Sequence, residues 1–250
     1  MKAIVLGTAA LSLFTVSAFG ADLGVTPAPP APPQFAWTGC YAGLSAGGGF
    51  GQKDLTDTAG TLSTTLSGFT SANLDTSGYL LGGQIGCDYQ FASSWVIGIE
   101  GDAWGGNIGG KTDVALVPAA IAGDNATFKE TTDLLTSLTA RAGYAWDHWL
   151  FYGKGGVALV DDRYSAPGTF GGTAYDLEGL ETRLGWTAGV GVEWALSNDW
   201  SVKIEYDYFG FGTRSVTFVD QISGTSGPEE IKQNVQTIML GVNLHVPVWQ

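Results

Sequence analysis

Cysteine and histidine are scarce, two of each in 250 residues, which excludes a multi-disulfide scaffold and a cysteine-based zinc site. Charge is scarce too, at 14% of residues against roughly 25% in an ordinary soluble domain. Basic residues are the rarer sign, 11 against 24 acidic, and the net charge of −13 repels phosphate, so no nucleic acid is expected as a partner. After the N-terminal segment no run of 18 apolar residues occurs, so no helix long enough to cross a membrane is expected there. Disorder is excluded as well, because 12% of the residues are aromatic and the mean hydropathy is positive, at +0.12. Glycine, by contrast, is plentiful: 38 residues, about twice its usual share of about 7%. Such a composition is unusual in water and ordinary in a membrane barrel.

The N-terminus opens with Lys2 and an apolar stretch from Ala3 to Phe19 that ends in small residues, the pattern of a secretory signal peptide over 1–20. Residues 21–36 are proline-rich and read as a stiff, extended periplasmic linker. From Trp37 the pattern changes to period two, the signature of strands with two unlike faces. In 182–196 one face reads Leu184, Trp186, Ala188, Val190, Val192, Trp194, while the other carries Arg183, Gly189, Gly191 and Glu193. In 200–208 Trp200, Val202, Ile204, Tyr206 and Tyr208 alternate with Ser201, Lys203, Glu205 and Asp207. The same period marks strands near 37–50, 78–91, 95–104, 133–146, 149–159 and 234–248. The apolar faces of these segments hold no charged residue, and the charges fall on the opposite faces. A water-soluble sandwich would hide its apolar faces and carry more lysine and glutamate outside. The predicted fold is therefore all-β: an eight-stranded antiparallel up-and-down transmembrane barrel occupying 37–250.

Three predicted connections are short: Ala92-Ser93-Ser94, Asp147-His148 and Ser197-Asn198-Asp199. Four are predicted to be long extracellular loops, at 51–77, 105–132, 160–181 and 209–233. Short periplasmic turns alternating with long outer loops are the pattern of outer-membrane barrels. Trp95, Trp149 and Trp200 open the strands after the short turns, and Phe91, Trp146 and Trp194 close those before them. These six are expected to form a periplasmic aromatic girdle.

The stretches WTGCYAGLSAGGGFG, GGQIGCDYQF, WVIGIEGDAW, RAGYAWDHWLFYGKGGVAL and GWTAGVGVEWALSNDWSVKIEYDYFGFG resemble the 25/31-kilodalton outer-membrane protein family, also called outer-membrane immunogenic or porin-like proteins. The resemblance covers nearly all of 35–246 and is carried by the strands. It implies an OmpA-like eight-stranded barrel in the outer membrane of a Gram-negative cell, a surface antigen with an envelope or host-contact role. The chain departs from the family pattern at Cys40, where an aromatic residue is common, and at its end, His245-Val246-Pro247-Val248-Trp249-Gln250, where such barrels usually finish on an aromatic residue read by the assembly machinery.

Enzymatic motifs fail on their context. Gly43-Leu44-Ser45-Ala46-Gly47 matches G-x-S-x-G, but it lies inside an alternating strand, whereas a nucleophile elbow needs a strand-to-helix turn. No predicted loop offers His, Met or Cys as a haem ligand, and no metal or other cofactor is expected. Cys40 and Cys87 fall on the lipid-facing parity of neighbouring strands; directly paired strand residues often lack bridging geometry, so two free thiols are favoured over a disulfide. Loop three, with Asp161, Asp162, Asp176, Glu178 and Glu181 against Arg163, and loop four, with Glu229 and Glu230, carry either a plain solvated charge run or an acidic crown that divalent cations bridge to lipopolysaccharide.

The remaining charges point to the lumen. Arg141, Lys154, Arg183 and Lys203 share its parity with Asp88, Glu100, Asp102, Glu193, Glu205 and Asp207. Charges taken out of water must be paired, so a cross-strand ion network that plugs the barrel is expected. The functional expectation is a non-enzymatic structural and surface-contact protein of the outer membrane, with a porin-like channel for small solutes or a loop-borne ligand or adhesion module as alternatives. Expected partners are outer-membrane lipid and lipopolysaccharide, the barrel-assembly machinery, and host or envelope surfaces met through the loops.

Overall fold

The computed structural model describes residues 35–56, 71–114, 125–170, 173–220 and 226–246, all of its regular structure being strand. The predicted signal peptide, all of the linker before Phe35, and the C-terminal 247–250 lie outside the described residues. Eight antiparallel strands follow one another around a closed barrel: β1 (Gly39–Thr56), β2 (Ser71–Gln90), β3 (Trp95–Val114), β4 (Asn125–Trp146), β5 (Trp149–Phe170), β6 (Thr173–Ala195), β7 (Trp200–Asp220) and β8 (Ser226–Val246). The seam closes where β1 pairs with β8, from Cys40↔Val246 to Thr56↔Glu230. Because side chains alternate along a strand, every second residue faces the lumen. Odd positions point inward on β1 and β8, even ones on β2 and β5.

Each of the eight predicted segments falls on a strand, with Trp37, Thr38, Phe91 and Leu196 just beyond the strand ends and 247–248 outside the described residues, but the strands are longer than expected. They run for 18 to 23 residues, and most of what was expected as long loops is ladder. Asp161 and Thr182, for instance, are directly paired between β5 and β6. Spanning a membrane takes only about 9–11 tilted residues per strand. The outward faces show where that span ends. On β5 they read Trp149, Phe151, Gly153, Gly155, Val157 and Leu159, and then turn polar at Asp161 and Arg163. On β8 the apolar run from Val246 to Ile238 gives way to Gln236, Asn234 and Lys232. The barrel therefore stands in hydrocarbon over its lower part, and its wall continues into water above.

Irregularities concentrate in that upper part. Registers shift between Gly105 and Ile108 of β3, between Thr132 and Leu134 of β4, and between Gly210 and Gly212 of β7. Gly212 has φ 66, in the left-handed region that only glycine adopts freely. At the other end the connections are tight, and Ser94 and Asp147 take the positive φ that such turns require.

Candidate functional site

The lumen is stratified. Nearest the short turns lies an apolar layer that includes Phe35, Trp37, Val96, Leu150 and Ala195. Above it sits a charged layer. A second apolar layer follows, with Leu80, Trp104, Ile108, Leu135, Phe209 and Met239 among its members. Buried polar residues that include Lys53, Thr132, Asp162 and Arg183 come last.

Nine of the ten lumen charges expected from parity meet in the charged layer. Arg141 on β4 is its hub: Nε bonds Asp88 Oδ1 at 2.8 Å, Nη2 pairs with Asp88 Oδ2 and with Glu193 at 3.2 Å, and Nη1 reaches Glu100 at 3.4 Å. Its guanidinium lies between the rings of Tyr41 and Tyr152, 4.9 and 4.7 Å from their centroids, where the ring faces attract the cation. Lys154 on β5 binds Glu205 at 2.6 Å, Glu100 at 3.1 Å, Asp102 at 3.2 Å and Asp207 at 3.5 Å. Lys203 on β7 joins Glu100 at 3.0 Å and Glu205 at 3.3 Å. Six carboxyl groups thus share three cations, and neutral donors supply further hydrogen bonds. Tyr41 and Tyr152 each donate at 2.6 Å, to Glu100 and Glu205, while Ser137 donates to Asp102 and Asn243 to Glu193. The side chains of Arg141, Lys154 and Lys203 are at most 1% exposed.

Arg183 does not join them. It stands well above Glu193 on β6, pairs with Glu181 at 2.9 Å and donates to the Ile231 carbonyl at 3.0 Å. Its side chain is buried, and its height along β6 puts it in another layer. The acidic crown also needs correction. Asp162 points inward, buried, to Lys53 at 3.2 Å and Thr132 at 2.7 Å, and Glu181 is held by Arg183. The side chains of Asp176 and Glu178 lie outside those described.

Several lumen residues carry weight that the sequence reading did not assign them. Tyr41, Tyr152, Ser137, Ser201 and Asn243 have inward parity and bond the charges, and parity plus a polar tip was the available signal. Trp104 donates to Ser45 Oγ at 2.8 Å, so that serine is a structural acceptor within a strand. Glycine makes room for these groups: a methyl at Gly86 or Gly191 would run into the Tyr41 or Tyr152 phenol, and one at Gly98 or Gly189 into Asp88 or Asp207.

Ser201, His245 and Glu193 form a serine–histidine–acid cluster, with His245 Nε2 2.8 Å from Ser201 Oγ and 3.5 Å from Glu193. A catalytic triad needs the acid on the other ring nitrogen, to hold the imidazole while the first takes the serine proton. Here Glu193 engages the same Nε2 and also the serine hydroxyl. The ring is enclosed by Phe35, Trp37 and Tyr41, with centroids 5.6 to 5.9 Å away. The arrangement is that of a packed plug; it does not pre-orient a nucleophile.

On the outside, the six predicted girdle residues Phe91, Trp95, Trp146, Trp149, Trp194 and Trp200 are all exposed and lie beside the short turns. Trp149 and Trp194 are paired across β5 and β6 and stack at 5.5 Å. Cys40 and Cys87 are joined by a disulfide, correcting the preference for free thiols. The β1–β2 register sets them directly opposite, with Cα atoms 3.9 Å apart, the close approach of a narrow antiparallel pair.

The model of the outer membrane protein beta-barrel domain matches residues 6–245. The chain is 31% identical to the 31 kDa outer-membrane immunogenic protein of Brucella melitensis, across 97% of this chain and 99% of the relative. It is 28% identical to the 25 kDa outer-membrane immunogenic protein of Brucella abortus, across 97% of each. Among solved structures, the outer membrane protease OmpT of Escherichia coli aligns at 10% identity and a TM-score of 0.49, over 86% of this chain and 99% of that one.

Proposed function

The chain belongs to the outer membrane protein beta-barrel family, and from that premise we propose that it is a structural and surface-contact barrel of the bacterial outer membrane, without enzymatic activity and without an open channel. The observation that carries this reading is the filled charged layer, where Arg141, Lys154 and Lys203 are clasped by six carboxyl groups across the full width of the lumen. Eight strands enclose a space that side chains can fill, whereas open aqueous pores need about 16. Clusters of apolar side chains below and above the charges narrow the way for a hydrated solute.

Its contacts follow from its exposed surfaces. The apolar outer band meets lipid, the polar wall above it meets lipopolysaccharide, and the strand ends beyond present loops to host or envelope surfaces. The assembly machinery is the expected partner during insertion. The porin-like alternative predicts passage of small solutes. Proteoliposomes loaded with an impermeant polymer and challenged with isotonic monosaccharide should therefore keep constant turbidity. Swelling at the rate given by a general porin in the same lipid would overturn the closed-barrel reading.

A further inference from the structure

We propose that the outer wall of β8–β1–β2 carries a saccharide-binding groove, placed to take the sugar headgroup of a glycolipid in the outer leaflet. The proposal rests on the outer-membrane reading and adds to it a ligand class and a location. A cavity of about 380 Å³ is bounded by the outward side chains Phe50, Gln52, Asp75, Ser77 and Gln236, over a floor of Gly51 and Thr76. The register makes this one compact patch. Phe50 on β1 is directly paired with Ser77 on β2 and with Gln236 on β8, and Gln52 beside it is paired with Asp75.

The chemistry of the lining selects a sugar. A saccharide shows an apolar C–H face ringed by hydroxyl groups that both donate and accept. Phe50 offers a half-exposed ring that reaches over Gly48, where no side chain interferes. Around it the Asp75 carboxylate accepts, Ser77 donates or accepts, and the amides of Gln52 and Gln236 do both. Gln236 is already oriented: the Tyr206 hydroxyl donates to its Oε1 at 2.7 Å, which leaves its Nε2 to donate to a ligand. An anion is disfavoured, since Asp75 is the only charge on this lining and the neighbouring Lys53 turns inward to Asp162. An added peptide strand is disfavoured too, because β1 is laddered on both sides here and offers no free edge.

Height selects the membrane as the source. From Phe91 in the girdle to Ser77 the strand rises by roughly 35 Å at the usual rise and tilt, about 10 Å beyond an apolar band of about 25 Å. That is where the sugars of an outer-leaflet glycolipid begin. The groove also sits where the outward face changes from Tyr79 and Ile238 to Ser77 and Gln236.

The test is a titration of the full barrel, refolded in detergent, with three probes: lipopolysaccharide lacking its O-polysaccharide, the soluble core oligosaccharide freed from its lipid, and phosphatidylglycerol. Binding is followed by NMR shifts of Phe50, Ser77 and Gln236. Both sugar-bearing probes should shift these signals saturably and phosphatidylglycerol should not. Phe50→Ala and Gln236→Ala should each raise the half-saturating concentration by about ten-fold or more. Response to the lipid-bearing probes alone, no response at all, or unchanged binding by both variants would overturn the proposal. Mobility that shifts on heating in wild type and variants reports the barrel separately, so a failed groove is not confused with a failed fold.

Discussion

Arg141 is one of three buried cations that hold the lumen carboxylates together. It engages three carboxylates on three other strands, and two aromatic rings cover its faces. Truncating one partner of a buried pair leaves the other charge desolvated, which costs about 3–5 kcal/mol. Arg141→Ala should therefore lower the urea stability of the folded barrel by that amount. Arg163→Ala is the natural control, because its pair with Asp133 is 3.4 Å long and 66% and 46% exposed. An exposed pair contributes only about 0–1 kcal/mol. Equal losses in the two variants, measured by tryptophan fluorescence in one detergent, would mean that the lumen is wetter than its packing implies. Which residues face the lumen was legible in the sequence, because hydrocarbon excludes charge from one face of each strand and the charges collect on the other. Which of them touch was not. Partners are set by the stagger between neighbouring strands and by height along each one, and that is why buried Arg183 meets Glu181 and Ile231 and stays apart from Glu193.

The strands divide at the outer edge of the membrane, and the division explains both what the sequence disclosed and what it hid. Below that edge one face meets lipid and the other the packed lumen, so the alternation is clean. Above it both faces of the wall meet polar surroundings, and segments such as 51–56 lose the period-two signal although they are paired on both sides. They read as loops for that reason. The same division yields a test by position. Val190 and Thr182 both face outward on β6, one within the apolar band and one above it. Arginine on the lipid face costs about 2–4 kcal/mol near the midplane and about 0–1 near the interface. Val190→Arg should therefore be severe and Thr182→Arg mild when unfolding is measured in bilayers; equal costs would put the membrane boundary elsewhere. The β1–β2 hairpin carries a further constraint. Its disulfide closes a sequence separation of 47, and in the chain-entropy treatment a loop of that length is worth about 3–4 kcal/mol. Replacing Cys40 and Cys87 by serine should lower stability by up to that amount, and denatured, unreduced wild type should show no free thiol. The sequence does bring the two cysteines opposite one another, but the general rule against bridging directly paired residues pointed the wrong way at this closely approached pair.

Taken as one object, the barrel is a wall with a filled interior. Its chain connectivity is the simplest available, each strand bonding the next and β8 returning to β1, so the eight-strand closure could be read from turns and alternation alone. Its interior is less simple. An apolar base, a charge layer, an aromatic and aliphatic layer and a final polar layer succeed one another, and a hydrated ion would have to displace all four. This stratification is the ground for reading the protein as a scaffold and contact surface in the outer membrane, with no role as a conduit. The most direct test is single-channel recording of the purified monomer in a planar bilayer, with Arg141→Ala alongside. The wild type should give a silent bilayer or rare, brief openings, and removal of the hub should make openings more frequent. A large, steady conductance in most wild-type insertions, independent of protein concentration, would contradict the closed-barrel reading.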